Sequence, residues 1–285
     1  GGPHPPASFN RELLNPEPRN PPPMNTILYL GPEGTHSHEA VLQRFGKSAK
    51  LVPCLSHYDV FERLCAPAAR PRPLAVVPVE NSSAGPVTQT LDQLTAYPAV
   101  SITESFSIPI RHHLLAGRCT PRLANVRRVY SHPQALGQCR ASLRALLPGA
   151  EPLPESSTAA AARINGLVTL KRDLQDSNEN VTRFFVVTAS RRPPAPARKT
   201  RETRSLIHLL IGNRPGALLH ALAPFDAAGV NLTFIQSRPL PGRPWEYGFF
   251  IEAATDWKNP AAEAAWRLVL ALSESGRKIG TYAVT

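Results

Sequence analysis

The sequence predicts an α/β protein of two units, a larger one of repeated strand–turn–helix segments and a smaller one of order βαββαβ. Three observations carry this. Short apolar runs ending in Gly-, Asn- or Ser-rich turns recur from Thr26 to about Thr188. Most lead into stretches with helical spacing of apolar residues. After a Pro-rich basic segment the pattern restarts with a different order. A chain of 285 residues is long enough for two such domains or three small ones.

In the first unit "TILYLG" reads as a buried strand and "SHEAVLQRFG" as a helix closed by Gly46. "LAVVPVEN" is a second strand, followed by a polar loop and the helix "PVTQTLDQLTAY". "ITESFSIPIRHHLLA" reads as extended, and "RRVYSHPQALGQCRASLRALL" as a strand, a turn and one helix. Repeats of this kind imply a mostly parallel sheet with ligands at the carboxyl ends of strands. In the second unit "SLIHLLI" is a strand, and "RPGALLHALAPFDAAG" a helix with Pro215 near its start and Gly229 past its end. "VNLTFIQSRPL" and "WEYGFFIEA" are strands, "NPAAEAAWRLVLALSES" a helix and "RKIGTYAV" the last strand. That order is ferredoxin-like.

The domain boundaries follow from composition. Residues 1–23 are Pro-rich without an apolar period, so they read as a disordered leader, and the functional chain is expected to begin at Met24. The larger domain spans 24–190. The segment 191–204 holds six Lys or Arg against one Glu and reads as a solvated linker, and the smaller domain is 205–285. The net charge of +11 raises the question of nucleic acid, but no zinc finger, RNP pattern or basic helix accompanies it. No apolar run of membrane-spanning length and no secretory signal is present. Cys54, Cys65, Cys119 and Cys139 show no C-x-x-C spacing, so free thiols in a reducing, cytoplasmic setting are expected. The scattered histidines offer no metal set.

Five polar clusters stand where strands end: "GPEGTHS", "VENSSAG", "YSHPQA", "ESSTAAAA" and "DSNENVTRF". Each offers hydroxyls, amides or a helix N-terminus, groups that hold carboxylates well. Singly each reads as a cap and turn; together, with an Arg beside a Thr, they point to a small polyanion. Asn81, Asn180 and Asn231 also fit the N-x-[ST] acceptor pattern, which arises often by chance.

"VPVENSSAGPVTQTLD", "YSHPQALGQC", "STAAAA" and "NENVTRFFVV", in that order, resemble the prephenate dehydratase family, and "RPGALLHALAPFDAAGVNLTFIQSRP" with "WEYGFFIE" is similar to the ACT regulatory domain joined to those enzymes. The resemblance implies a two-lobed, periplasmic-binding-protein-like catalytic domain. It implies conversion of prephenate to phenylpyruvate without a cofactor, feedback by phenylalanine, and a homodimer or homotetramer. Carried over, Thr182, Arg183 and Phe184 form the catalytic motif, with Arg183 a two-point carboxylate contact and Thr182 a donor to the leaving hydroxyl. The general acid is Glu80 or His132. Glu80 is alternatively a partner to Arg183, and His132 alternatively a turn histidine. Thr35, Ser37, Asn81, Ser82, Gly85, Ser131, His132, Gln134, Ser157 and Thr158 are the expected substrate lining. His36 stands where the family commonly has an aromatic. Gly216, Ala217, Leu218, Gln236, Ser237, Arg238 and Pro239 match the phenylalanine site, with Gln236 where a Glu is usual.

By the family layout a strand and a helix are missing between Ile164 and Asn165, leaving the second lobe incomplete with exposed edges. A gene-model error, an inactivating natural deletion and a rewired lobe are the competing explanations, the first being favoured by the odd segment before Met24. Two other functions stay open, arogenate dehydratase and a non-catalytic ACT-linked amino-acid sensor.

Overall fold

The computed structural model describes residues 26–67, 71–118, 122–155, 167–190 and 202–285. The chain runs β1 (Thr26–Leu30), α1 (His36–Phe45), β2 (Lys50–Cys54), α2 (His57–Cys65), β3 (Leu74–Asn81), β4 (Gly85–Pro86), α3 (Thr88–Ala96) and β5 (Val100–Pro109). A second lobe follows, with β6 (Leu114–Gly117), β7 (Arg128–Ser131), α4 (Pro133–Gln138), α5 (Arg140–Leu146), β8 (Glu151–Pro154) and β9 (Leu167–Lys171). β10 (Val181–Ala189) returns to the first lobe. The remainder is β11 (Glu202–Leu210), α6 (Ala217–Ala227), β12 (Leu232–Leu240), β13 (Arg243–Ala253), α7 (Pro260–Leu272) and β14 (Ser275–Val284).

One ten-stranded sheet runs through both units in the order β12-β13-β11-β14-β5-β10-β3-β1-β2, with β4 on β3. β1 pairs in parallel with β2 and β3, as the repeats predict. β10 departs from that expectation, lying antiparallel to both β3 and β5. It comes back from the second lobe and fills the slot between two strands that run the other way, so it runs against the strands on either side. The βαββαβ unit has the interleaved order expected of a ferredoxin-like fold, every pairing within it antiparallel.

The two halves of the sheet join where β14 lies parallel to β5 at Ala283–Glu104 and Val284–Ser105. Gly280 permits the approach. A Cβ built there would stand 2.7 Å from the Ile102 carbonyl oxygen and 2.9 Å from its nitrogen. Each face of the first lobe's sheet has a core. Ile27, Tyr29, Val41, Phe106, Phe184 and Val186 pack beneath α1. Phe61, Leu91, Leu94, Phe185, Val187, Phe250 and Tyr282 pack under α2 and α3, drawing in the smaller unit. That unit keeps its own cluster around Phe225, Ile251, Trp266 and Val269.

The second lobe is thinner. Its core is Leu114, Cys139, Leu147 and Leu174 with partly buried neighbours, and its strands form two separate pairs, β6 with β9 and β7 with β8. The expected gap after Ile164 lies outside the described residues. "QALGQCRASLRALL" does not form one helix: Cys139 (φ −116°, ψ 14°) separates α4 from α5. Asp176 accounts for the break, its carboxylate accepting from the N–H groups of Ala141 and Ser142 and its own N–H binding Gln138 O. The basic linker also ends earlier than expected, since β11 begins at Glu202 and Arg204 is half-buried in ion pairs rather than solvated.

Gly280→Val is expected to destabilise the protein by about 1–3 kcal/mol, because backbone rather than a movable side chain blocks the new methyl groups. Urea unfolding of the variant against the parent measures it.

Candidate active site

The turn after β3 gathers the first group of site residues. Gly85 closes it at φ 80°, a conformation that disfavours any residue with a Cβ, and pairs back to Asn81. Asn81 is 6% exposed, and its Oδ1 accepts from the backbone N–H groups of Ser83 (3.1 Å) and Ala84 (2.9 Å). Those two donors cannot be reversed, so the amide nitrogen of Asn81 must face the other way. It donates to Asn180 Oδ1 (2.7 Å) and to Thr182 Oγ1 (2.9 Å). Asn180 Nδ2 in turn donates to Gln138 Oε1 (2.9 Å). His112 Nε2 lies 2.8 Å from that same oxygen, and an oxygen already acting as acceptor requires the imidazole to donate. Two backbone amides thus set the orientation of a chain of side chains across both lobes and the tautomer of His112. Ser82 reinforces the join, its Oγ donating to Glu179 O and accepting from Val181 N.

The far end of this chain opens on a cavity of about 630 Å³ between the β1–α1 turn and the second lobe, lined in part by Gly34, His36, Arg111, His112, His113 and Ser131. The size suits a small-molecule ligand. The imidazoles of His36 and His112 meet edge to face at 5.5 Å. Burial, and then the charge of His112, push the pKa of His36 below the ordinary histidine value.

The expected residues fall into three described sets and one pair outside the described residues. Asn81, Ser82, Gly85 and Thr182 come together. Thr35 caps α1, accepting from His38 N, and sits between two cavity-lining residues, while Ser37 is buried behind it. Ser131 lines the cavity; His132 caps α4 by accepting from Gln134 N, which is the turn role left open for it, and Gln134 is exposed. Ser157 and Thr158 lie outside the described residues.

Two residues of the expected catalytic motif stand apart from the Thr182 hydroxyl. Phe184 is 1% exposed and stacks on Phe106 at 5.8 Å, a core residue under α1. Arg183 leaves β10 on the face opposite Thr182, as consecutive strand residues must. Its Nη1 lies 2.9 and 2.7 Å from the two carboxylate oxygens of Glu252, and its Nη2 is 3.0 Å from Glu80. Its guanidinium lies over the rings of Phe185 and Phe234. Protein carboxylates therefore occupy the group expected to hold a ligand carboxylate, and of the two roles open for Glu80 the geometry shows the pairing with Arg183.

Glu252 is 0% exposed and also receives Arg204, Thr233 and Tyr282. Burial pushes its carboxyl up, but the charge of Arg183 and the hydrogen bonds from Thr233, Tyr282 and Arg183 outweigh it, leaving the pKa below the ordinary glutamate value. Arg238 of the expected effector segment likewise pairs with Asp92 on α3. Gly216 (φ 77°) opens α6, with Ala217 buried behind it, and Leu218 follows in its first turn. Gln236 Nε2 binds Ser237 O, and Pro239 faces Tyr247. A cavity of about 540 Å³ beside α6 is lined instead by Leu222, Asp226 and Asn231 among others.

Reasoning from sequence passed over Gln138, Asn180, His112 and Glu252. Asn180 stood inside the motif that raised the sugar-acceptor question; it is 2% exposed and bonded at both ends, which rules against glycosylation in the folded protein.

The model of the family described as prephenate dehydratase matches residues 27–165. A prephenate dehydratase of Mycolicibacterium vanbaalenii is 31% identical over 91% of each chain. The chain belongs to the prephenate dehydratase family. The prephenate dehydratase of Arthrobacter aurescens, solved in complex with L-Phe, superposes with a TM-score of 0.79 at 32% identity, over 90% of this chain and 89% of that one. A bifunctional chorismate mutase/prephenate dehydratase of Stutzerimonas stutzeri is 35% identical over 82% of this chain, which spans 66% of that relative's length.

Glu252→Ala would leave Arg183 with only Glu80, Arg204 with only Glu202 and the buried Tyr282 hydroxyl without its carboxylate, and is expected to cost about 3–5 kcal/mol. Because the folded pKa is depressed, the glutamate's contribution is complete above its unfolded value of about 4.3 and disappears as pH falls through the lower folded value. Denaturant midpoints of both proteins from pH 7 to pH 3 should therefore converge on the acid side.

Proposed function

We propose that this protein dehydrates and decarboxylates prephenate to phenylpyruvate. The observation that carries the reading beyond family membership is the polarity of Thr182. Asn81 already donates to its oxygen, so the hydroxyl hydrogen remains available as a donor. Prephenate carries two carboxylates and a tertiary ring hydroxyl. As the bond to the ring carboxylate breaks, CO₂ leaves, the electron pair enters the forming aromatic ring and the C–O bond gives way. The departing hydroxide takes a proton from solvent to become water. A fixed donor at that oxygen stabilises charge as it develops, and a threonine too weakly acidic to ionise is suited to this positional role. Arg111 supplies positive charge and the histidines of the cavity supply ring N–H groups, both suited to a dianion.

The second unit is read as an ACT domain with phenylalanine as effector. β12 is the outer strand of the sheet, and Leu219 and Ile235 are exposed on α6 and β12, so pairing of copies through this side is the proposed route to a homodimer or homotetramer. The described cysteines Cys54, Cys65 and Cys139 are free, and no described helix is long and apolar enough to cross a membrane. A cytoplasmic location is part of the same proposal.

Purified protein is expected to form phenylpyruvate from prephenate faster than phenylalanine from arogenate. Thr182→Ala should lose on the order of 10²-fold in kcat, and Thr182→Ser should retain most of it. Faster turnover of arogenate would make it the substrate. No product from either, with Thr182→Ala indistinguishable from the parent, would leave an amino-acid-binding protein.

A further inference from the structure

The helix α3 is held at both ends by different parts of the molecule. Its start is tied to the strand that carries Glu80 and Asn81. Val87 N donates to Val79 O (2.7 Å), and Thr90 Oγ1 donates to Pro78 O (2.7 Å). Its remainder is gripped by the βαββαβ unit. Arg238 on β12 makes a two-point contact with Asp92, Nε to Oδ1 at 2.8 Å and Nη2 to Oδ2 at 2.7 Å. Arg277 on β14 donates to the carbonyls of Leu94 and Pro98, taking up orphan acceptors at the helix C-terminus. Leu91 and Leu94 fix the helix against Ile279 and Tyr282 from the same side. Movement of β12 or β14 therefore bears on α3, and through it on β3 and the Asn81 turn.

We propose that occupancy of the effector segment is transmitted to the catalytic turn through α3, with the Arg238–Asp92 pair as the coupling contact. Arg238 shares the α3-facing side of β12 with Gln236 of the segment where the effector is expected, whereas Ser237 faces the other side. An amino acid presents to this region the group that Asp92 now presents, a carboxylate able to make the same two-point contact. Effector and Asp92 therefore compete for one guanidinium. When the effector takes it, α3 loses its charged anchor, and the turn that orients Asn81 and Thr182 loosens. By reciprocity, an enzyme whose turn is held by substrate binds the effector less tightly. The inference rests on the functional reading above for the identity of the effector, but the mechanical link from Asp92 to the turn stands independently of it.

The test uses the full chain and three variants, Asp92→Asn, Asp92→Glu and Glu274→Gln. The last cuts a different ion pair of the smaller unit, that with Arg243, which does not reach α3. Amide hydrogen exchange across residues 79–90, phenylalanine binding by calorimetry and turnover with and without phenylalanine are measured. Asp92→Asn alone should raise exchange in that segment about fivefold or more without phenylalanine, bind phenylalanine more tightly by a similar factor, and lose the greater part of its further inhibition. Asp92→Glu should behave closer to the parent, and Glu274→Gln like the parent. Unchanged exchange in Asp92→Asn, or an equal rise in Glu274→Gln, would overturn the proposal. So would full inhibition in Asp92→Asn. A parent that neither turns over prephenate nor binds phenylalanine would refute the functional reading, while the exchange comparison would still decide the link.

Discussion

A single buried carboxylate organises this molecule. Glu252 has no exposed surface, and an ion taken so far from water is tolerable only when every oxygen is partnered. Its partners come from four strands: Arg183 from β10, Arg204 from β11, Thr233 from β12 and Tyr282 from β14. One of these belongs to the larger domain and three to the smaller. The requirement to neutralise one charge thus fixes how the two domains meet, and the strand that supplies Arg183 supplies Thr182 on its other face. The arrangement of the Thr182 hydroxyl and the docking of the smaller unit cannot be altered independently.

Amide orientation is the second constraint. Asparagine and glutamine side chains are nearly symmetric in shape, and only their hydrogen-bond partners distinguish the two ends. Here Ser83 and Ala84 supply that distinction at one end of a chain extending to His112. The consequence is electronic rather than steric, because the position of each hydrogen follows from donors two and three residues along a turn.

Much of the architecture was legible in local patterning. Apolar runs such as Leu74–Val79 and helices such as α1 with its Gly46 stop appear where the residues place them, because capping and periodicity act over a few residues. The direction of β10 was not legible, since a strand's sequence does not state which neighbours it will join. Of the partners of Arg183, Glu80 was among the readings of the motif, but Glu252 lies 69 residues away, beyond any local rule. One signal was available and unused: Thr182 and Arg183 are consecutive in a strand and so cannot both line the same face. The break at Cys139 depends on Asp176, again remote in sequence, and nothing in the helical period of that stretch reveals it.

The second lobe leaves the first after β5 and returns as β10, and its two ends are joined by the hydrogen bond from Ile110 N to Asn180 O at 2.8 Å. The intervening seventy or so residues thus form a cassette whose entry and exit are side by side. Insertions with adjacent ends place little strain on their host, since the host sheet closes with or without them. Changes of length inside the cassette can be accommodated while β3, β5 and β10 keep their register.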